Sequence, residues 1–316
     1  MTAPVKVRSS REVYRDVLVE VLADDERAIC LDTDTGLFAG VDFGAAARRY
    51  VNIGIAEHTV MGAAAGLAKE GRVPFVNTMA AFAASRAIEA VKIDIAYNNL
   101  PVRIAATHSG VSAGHLGPTH HALEDLAAMR VLPNMTVVVA ADAATTESLL
   151  RQALSLPGPV YLRLGRNATP DLPAGPPVRL GEAQVLRQGT DVVLAACGAY
   201  PVLSAIEAAD LLAAEGVEAT VLHVHTVKPL DTATLAAAAG FTGAVVTVEE
   251  HWAAGGFGSA VAEALTELMP VRVHRLALPD EFVGVSGSQR FLLDRAGVTA
   301  AAIAERAKRS MRGKIR

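Results

Sequence analysis

The segment NIGIAEHTVMGAAAG (52–66) sets one acid, Glu57, at the start of an otherwise apolar, small-residue run. A carboxyl buried there needs a partner or keeps its proton, because desolvation disfavours the charged form. The same position also suits an acid held by the positive end of a helix macrodipole. A second cluster is ATHSGVSAGHLGPTHHALEDL (106–126), with His108, His115, His120 and His121 set around Gly110, Gly114 and Gly117. Glycines let a loop approach a ligand closely, and histidines move protons near neutral pH. Four histidines raise the question of a metal, but no paired CxxC or HxxxH spacing supports one. Third, YLRLGRNATP (161–170) puts Arg163 or Arg166 at a strand end, where an arginine can grip a phosphate or carboxylate or simply pair at the surface. GGFGS (255–259) opens a helix and is weak evidence for an anion site.

The elements that position these residues alternate. Apolar spacing predicts a helix over 11–23, with Ser9 and Ser10 as its candidate caps. Strands are predicted at 28–32, 73–78, 101–107, 136–141 and 160–164. Helices follow GIAEH up to Gly71, and run over 80–97, 123–131 and 143–155. Near-continuous apolar strands alternating with helices imply an α/β fold with a mainly parallel sheet covered on both faces. Loops after Asp32, Asn77 and Thr107 then lie at carboxyl ends of strands, where such sheets place function.

Residues 167–180, NATPDLPAGPPVRL, carry four prolines and no periodicity, which reads as a linker. The alternation restarts beyond it, with strands near 191–197, 219–224, 244–249 and 271–276. Two domains are expected, 1–170 and 185–316, joined by 171–184. No Walker loop and no GxGxxG occurs.

Hydrophobic residues make up 51% of 316, charged residues 20% and aromatics 4%, so the cores are built from Ala, Val, Leu and Ile. A net charge of −4 without a long basic run gives nucleic acid no electrostatic reason to bind. The basic AERAKRSMRGKIR end reads as a solvated last helix and tail. Cys30 and Cys197 read as buried thiols in a reducing compartment. The N-terminal stretch has no apolar signal core and no run reaches a membrane span, so a soluble, cytoplasmic protein is expected.

Taken together, GIAEH (54–58), TMAAFAASRAIEAV (78–91), the histidine loop through Met135, YLRLGR (161–166), TVKPLD (226–231) and VEEHWAAGGFGS (248–259) resemble the transketolase family, in particular the C-terminal section of its split, two-polypeptide bacterial form. The resemblance runs from about residue 10 to 305. It implies a pyrimidine-binding domain followed by the family's C-terminal domain, and thiamine diphosphate as cofactor. It makes Glu57 the carboxylate that hydrogen-bonds a ring nitrogen of the aminopyrimidine and so promotes ylide formation, with Ile55 and Phe82 also on the cofactor and Phe82 stacking on its ring. The cofactor carries the hard chemistry and the protein tunes it. His108 and His120 match the catalytic pair facing the substrate, and Arg166 matches the arginine that grips a sugar phosphate.

The resemblance departs at His115 and Leu116, which stand where an acidic pair is usual. Leu116 removes the carboxylate that reads a substrate hydroxyl, and a site without that partner loses specificity for it. Residues 31–44 lack the basic and hydroxyl groups that help bind phosphate, and Met79 and Ser85 replace aromatics. A specialised ketose donor or acceptor in carbohydrate metabolism is therefore expected. No GDG with a downstream Asn occurs, so Mg²⁺ (or Ca²⁺) and the diphosphate fall to a separate N-terminal subunit, in an α2β2 assembly inactive as the single chain. The expected reaction is two-carbon ketol transfer. The alternatives are the β-subunit of a 2-oxo acid dehydrogenase, a 1-deoxyxylulose-5-phosphate synthase-like enzyme, and a non-catalytic partner.

Overall fold

The computed structural model describes residues 7–311. They form two units, the first of residues up to 113 and 119–171, the second of 114–118 and 172 onward.

The first unit begins with strand β1 (Val7–Ser9) and helix α1 (Ser10–Asp24). Val13, Tyr14, Val17, Leu18, Val21 and Leu22 recur at helical spacing and are all buried, so α1 docks by one apolar stripe. Neither serine caps it. The Ser9 hydroxyl donates instead to the Arg166 carbonyl, at 3.0 Å. Strands β2 (Ala28–Asp32) and β3 (Tyr50–Asn52) follow, then α2 (Glu57–Lys69), β4 (Val73–Met79), α3 (Ala80–Ala84) and α4 (Ile88–Ala90). Then come β5 (Arg103–Thr107), α5 (Asp125–Arg130), β6 (Thr136–Val139), α6 (Ala143–Ala153), β7 (Val160–Arg163) and β8 (Ala168–Pro170). The unit's main sheet runs in the order β6-β7-β5-β4-β2-β3, with every one of these pairs parallel. The chain leaves β2 for β3 on one side and returns to β4 on the other, so the switch point lies between the carboxyl ends of β2 and β4.

The helix expected over 80–97 is broken. Ser85 turns its hydroxyl back to the Ala81 carbonyl at 2.5 Å, residues 85–87 form turns, and Val91–Ala96 winds as a π-helix. Local hydroxyl-to-backbone bonding of this kind competes with the helical ladder. Part of the expected linker is also ordered, because β8 pairs antiparallel with β1.

Inside the sheet, Arg103 is fully buried without a carboxylate. Its guanidinium donates to the carbonyls of Leu154, Leu156 and Gly158, which closes the carboxyl end of α6. Burial pulls its pKa down to about 10.

The second unit contains β9 (Gln184–Arg187), β10 (Val192–Cys197), α7 (Ala199–Ala214), β11 (Ala219–His223), β12 (Thr226–Lys228), α8 (Thr232–Thr242), β13 (Val245–Trp252), α9 (Phe257–Leu268), β14 (Val273–Leu278), α10 (Gln289–Arg295) and α11 (Ala300–Met311). Its sheet is ordered β14-β13-β10-β11-β9, parallel except for the β9 edge. The GGFGS turn serves α9 directly: the Glu249 carboxylate accepts from the Phe257 and Gly258 amides at 2.6 and 2.8 Å, so the helix start already holds an internal anion. The last helix is not solvated all round, since Ile303, Ala304 and Ala307 are buried. The tail beyond 311 and the first six residues lie outside the described part. Both cysteines are buried free thiols. No described helix is long and apolar enough to cross a membrane.

Candidate active site

The segments that follow β3, β4 and β5 meet at the carboxyl ends of the first unit's strands. The floor is a polar cluster between β2 and β4. Asp32, buried, accepts from Asn77 at 2.5 Å, Thr35 at 3.0 Å and Tyr50 at 2.9 Å. Burial raises the Tyr50 phenol above its ordinary value, and the charge and hydrogen bond of Asp32 raise it further, so this hydroxyl stays a donor.

Glu57 is the first residue of α2 and is 1% exposed. Its Oε2 accepts from the Arg86 guanidinium at 2.7 Å. The same guanidinium lies over the Phe82 ring, 4.7 Å from its centroid. His120 meets that ring edge-on, with centroids 5.3 Å apart. Thus Glu57 at the start of α2, Phe82 on α3 and His120 on the loop after β5 are linked around one aromatic ring. Ile55, two residues before Glu57, is exposed.

His108 follows β5 directly, is buried, and takes a positive φ of 59°. Thr107 Oγ1 lies 2.9 Å from His108 Nδ1 and donates to the Thr78 carbonyl at 3.1 Å. The threonine has one proton, so Nδ1–H is the donor to Oγ1, and in the neutral ring Nε2 carries the lone pair. His120 Nδ1 lies 2.9 Å from Thr119 Oγ1. His121 is buried with neither ring nitrogen hydrogen-bonded; burial, and then the neighbouring His120, holds its pKa below the ordinary value.

The histidine loop is braced from below. Gly110, at a φ of 60°, pairs with Ala122 through two backbone hydrogen bonds of 2.8 and 3.1 Å. Arg163 donates to the Ala122 carbonyl at 3.0 Å and to the Asp125 carboxylate at 2.7 Å, and Tyr161 donates to the same carboxylate oxygen at 2.8 Å. All three side chains are buried. Of the two arginines singled out in YLRLGR, Arg163 is therefore the brace. Replacing Asp125 with Ala removes the buried carboxylate paired with Arg163, and removing one partner of a buried pair costs about 3–5 kcal/mol. The expected result is a loss of that size in denaturant unfolding; a change within the error of the wild type would show that the brace carries no stability.

Arg166 is half-buried and has the Arg11 guanidinium as a neighbour. Burial lowers Arg11 from its ordinary value and the Arg166 charge lowers it further, and Arg11 Nε is buried without a hydrogen-bond partner. The Glu12 carboxylate acts on Arg11 in the opposite direction. Arg11 had a signal in the sequence: it sits in the first turn of a helix, where the macrodipole disfavours a cation. Arg86 had one too, as the single charge within the apolar run AAFAASRAI. His115 and Leu116, both exposed, belong to 114–118, the segment that groups with the second unit. Among the described residues no three His, Cys, Asp or Glu side chains form a metal-holding group.

The family model for the transketolase pyrimidine-binding domain matches residues 6–171, and that for the transketolase C-terminal domain matches 181–303. The chain is 38% identical over 293 residues to the 6-deoxy-6-sulfo-D-fructose transketolase subunit SqwH of Clostridium sp. strain MSTE9, covering 92% of this chain and 90% of that one. It is 37% identical to one of the apulose-4-phosphate transketolase subunits of Phocaeicola vulgatus, covering 93% and 96%. A solved structure described as a split gene transketolase, inactive beta4 tetramer, superposes with a TM-score of 0.87 at 41% identity, covering 97% of this chain and 99% of that one. The 1-deoxy-D-xylulose-5-phosphate synthase 1 of Geobacter sulfurreducens is 38% identical, but the chain spans only 46% of its length.

Proposed function

The chain belongs to the transketolase family, as a subunit of the split form, and from that premise we propose that it is the half of a thiamine diphosphate enzyme that activates the cofactor and binds the sugar. The enzyme is a transferase that moves a two-carbon ketol unit from a ketose to an aldehyde. The family implies thiamine diphosphate. The reading rests on one observation above the others: a buried acid at a helix start and an aromatic ring share a single planar N–C–N cation, the guanidinium of Arg86. An aminopyrimidine presents the same N–C–N edge and the same flat face, so Glu57 and Phe82 fit it.

When bound, thiamine diphosphate supplies a nucleophilic carbon that can add to a ketose carbonyl. Glu57 holds a proton at the pyrimidine ring nitrogen, and its burial shields that contact from water. Phe82 presents the stacking face. His108, with Nε2 as the lone-pair nitrogen, accepts a proton from a donor hydroxyl, and His120 at the Phe82 edge is the second proton carrier. Arg166, with Arg11 beside it, holds the substrate's anionic group by charge-assisted hydrogen bonds. Leu116 in place of a carboxylate removes a hydroxyl contact. The two relatives named for a sulfo-deoxy ketose and for apulose phosphate suit a specialised anionic ketose donor.

Mg²⁺ (or Ca²⁺) and the diphosphate are assigned to an N-terminal partner subunit, in an α2β2 assembly. The test is to reconstitute the pair with thiamine diphosphate and Mg²⁺ and to follow two-carbon transfer from a panel of phosphorylated and sulfonated ketoses. Release of CO₂ from pyruvate, with transfer to a lipoyl domain or condensation with an aldehyde phosphate, would overturn the assignment to ketol transfer.

A further inference from the structure

Arg86 occupies the two contacts that Glu57 and Phe82 would give to the cofactor. Its guanidinium takes Glu57 Oε2 at 2.7 Å and covers the Phe82 ring at 4.7 Å. Both groups are fixed, Glu57 buried in the first turn of α2 and Phe82 on the short α3. Arg86 is not. Its side chain is 48% exposed, and it stands in the turn where the expected helix breaks between α3 and α4. One end of the arrangement is rigid and the other can swing into water.

We propose that Arg86 is a latch that stands in for the aminopyrimidine while the cofactor is absent, and must leave when it binds. The inference rests on the cofactor reading of Glu57 given above. Chemically the substitution is close. A guanidinium is a planar, delocalised N–C–N donor that stacks on aromatic faces and pairs with carboxylates. A buried carboxylate left with no partner is costly, so Glu57 needs a cation of this kind until the cofactor binds. The ring face that Arg86 covers, beside Glu57 Oε2, has room for one flat ligand at a time, which makes Arg86 and the pyrimidine competitors. Arg86 is thus a positioning residue: it keeps Glu57 partnered and aimed before binding, and its release is part of the binding equilibrium.

A closed latch reduces apparent affinity by the fraction of molecules that are open, so a latch closed about nine-tenths of the time weakens cofactor binding about tenfold. The experiment is calorimetric titration of thiamine diphosphate, with Mg²⁺, into the complex reconstituted with the partner chain. Arg86→Met is expected to bind the cofactor about tenfold more tightly than the wild type. Without cofactor, the same complex should melt about 2–4 °C lower, because Glu57 loses its partner. Arg86→Gln, which keeps amide donors without the charge, is the second variant should Arg86→Met fail to fold; it is also expected to bind more tightly. The double variant Glu57→Gln/Arg86→Met should regain the melting temperature lost by Arg86→Met alone. A merely structural arginine would lower stability and leave affinity unchanged or weaker, and either affinity result overturns the latch. Comparing Glu57→Gln/Arg86→Met with Arg86→Met separates the two claims, because the latch is gone from both: if the two bind cofactor equally tightly, the cofactor reading itself is wrong.

Discussion

In the reconstituted complex, Glu57→Gln is expected to lower kcat by about 10³-fold, within the range that a positioned acid–base group contributes. Glutamine matches the shape of Glu57 and its reach toward Arg86, but it cannot exchange a proton with a ring nitrogen. The 1% exposure of Glu57 matters here, because no water stands ready to replace it. Folding should be almost unaffected: Arg86 is half in solvent and can satisfy its donors with water when the carboxylate is gone. The loss should therefore appear in turnover with little change in the melting temperature. Glu57→Ala removes the contact as well as the proton and should lose at least as much. Steady-state assays paired with thermal melts decide the matter. Activity within twofold of the wild type for both variants would remove Glu57 from the mechanism.

The second large effect is expected from leaving the partner out. The isolated chain should show no measurable turnover and no saturable thiamine diphosphate binding, and activity should rise to a plateau as the partner reaches equimolar amounts. Hard divalent cations need a set of oxygen ligands. No group of three His, Cys, Asp or Glu side chains among the described residues offers one. The matched family model is that of a pyrimidine-binding domain, whereas the charge of the cofactor lies in its diphosphate. The structural relative described as an inactive beta4 tetramer superposes over 97% of this chain. Titration calorimetry with and without the partner is the measurement. Saturable micromolar binding of thiamine diphosphate and Mg²⁺ by the chain alone would overturn the division of labour.

Much of this was written along the chain. The apolar runs of β2, β4 and β10 became interior parallel strands, with AICLD matching β2 residue for residue. GIAEH put its acid at the first turn of a helix, where α2 begins. The carboxyl ends of strands are where Glu57, Phe82 and His108 meet their loops. Hydrophobic period and glycine punctuation suffice for such statements, because both report a residue's relation to its own element.

Other features depend on which elements become neighbours. Asp125 and Arg163 lie 38 residues apart, and only the fold that brings the start of α5 to the end of β7 makes them a buried pair rather than two surface charges. Ser9 sits where a cap belongs, yet its hydroxyl serves the Arg166 carbonyl because β1 and β8 lie side by side. The run at 80–97 has helical composition throughout, and the break at Ser85 that aims Arg86 at Glu57 comes from a competing backbone contact that periodicity does not record. Residue types and their spacing thus determined the fold class and the family, and they singled out Glu57 as the proposed activating acid. The tertiary structure decided what that acid touches, because a side chain's partner across a sheet is set by strand order, and strand order is a property of the whole chain.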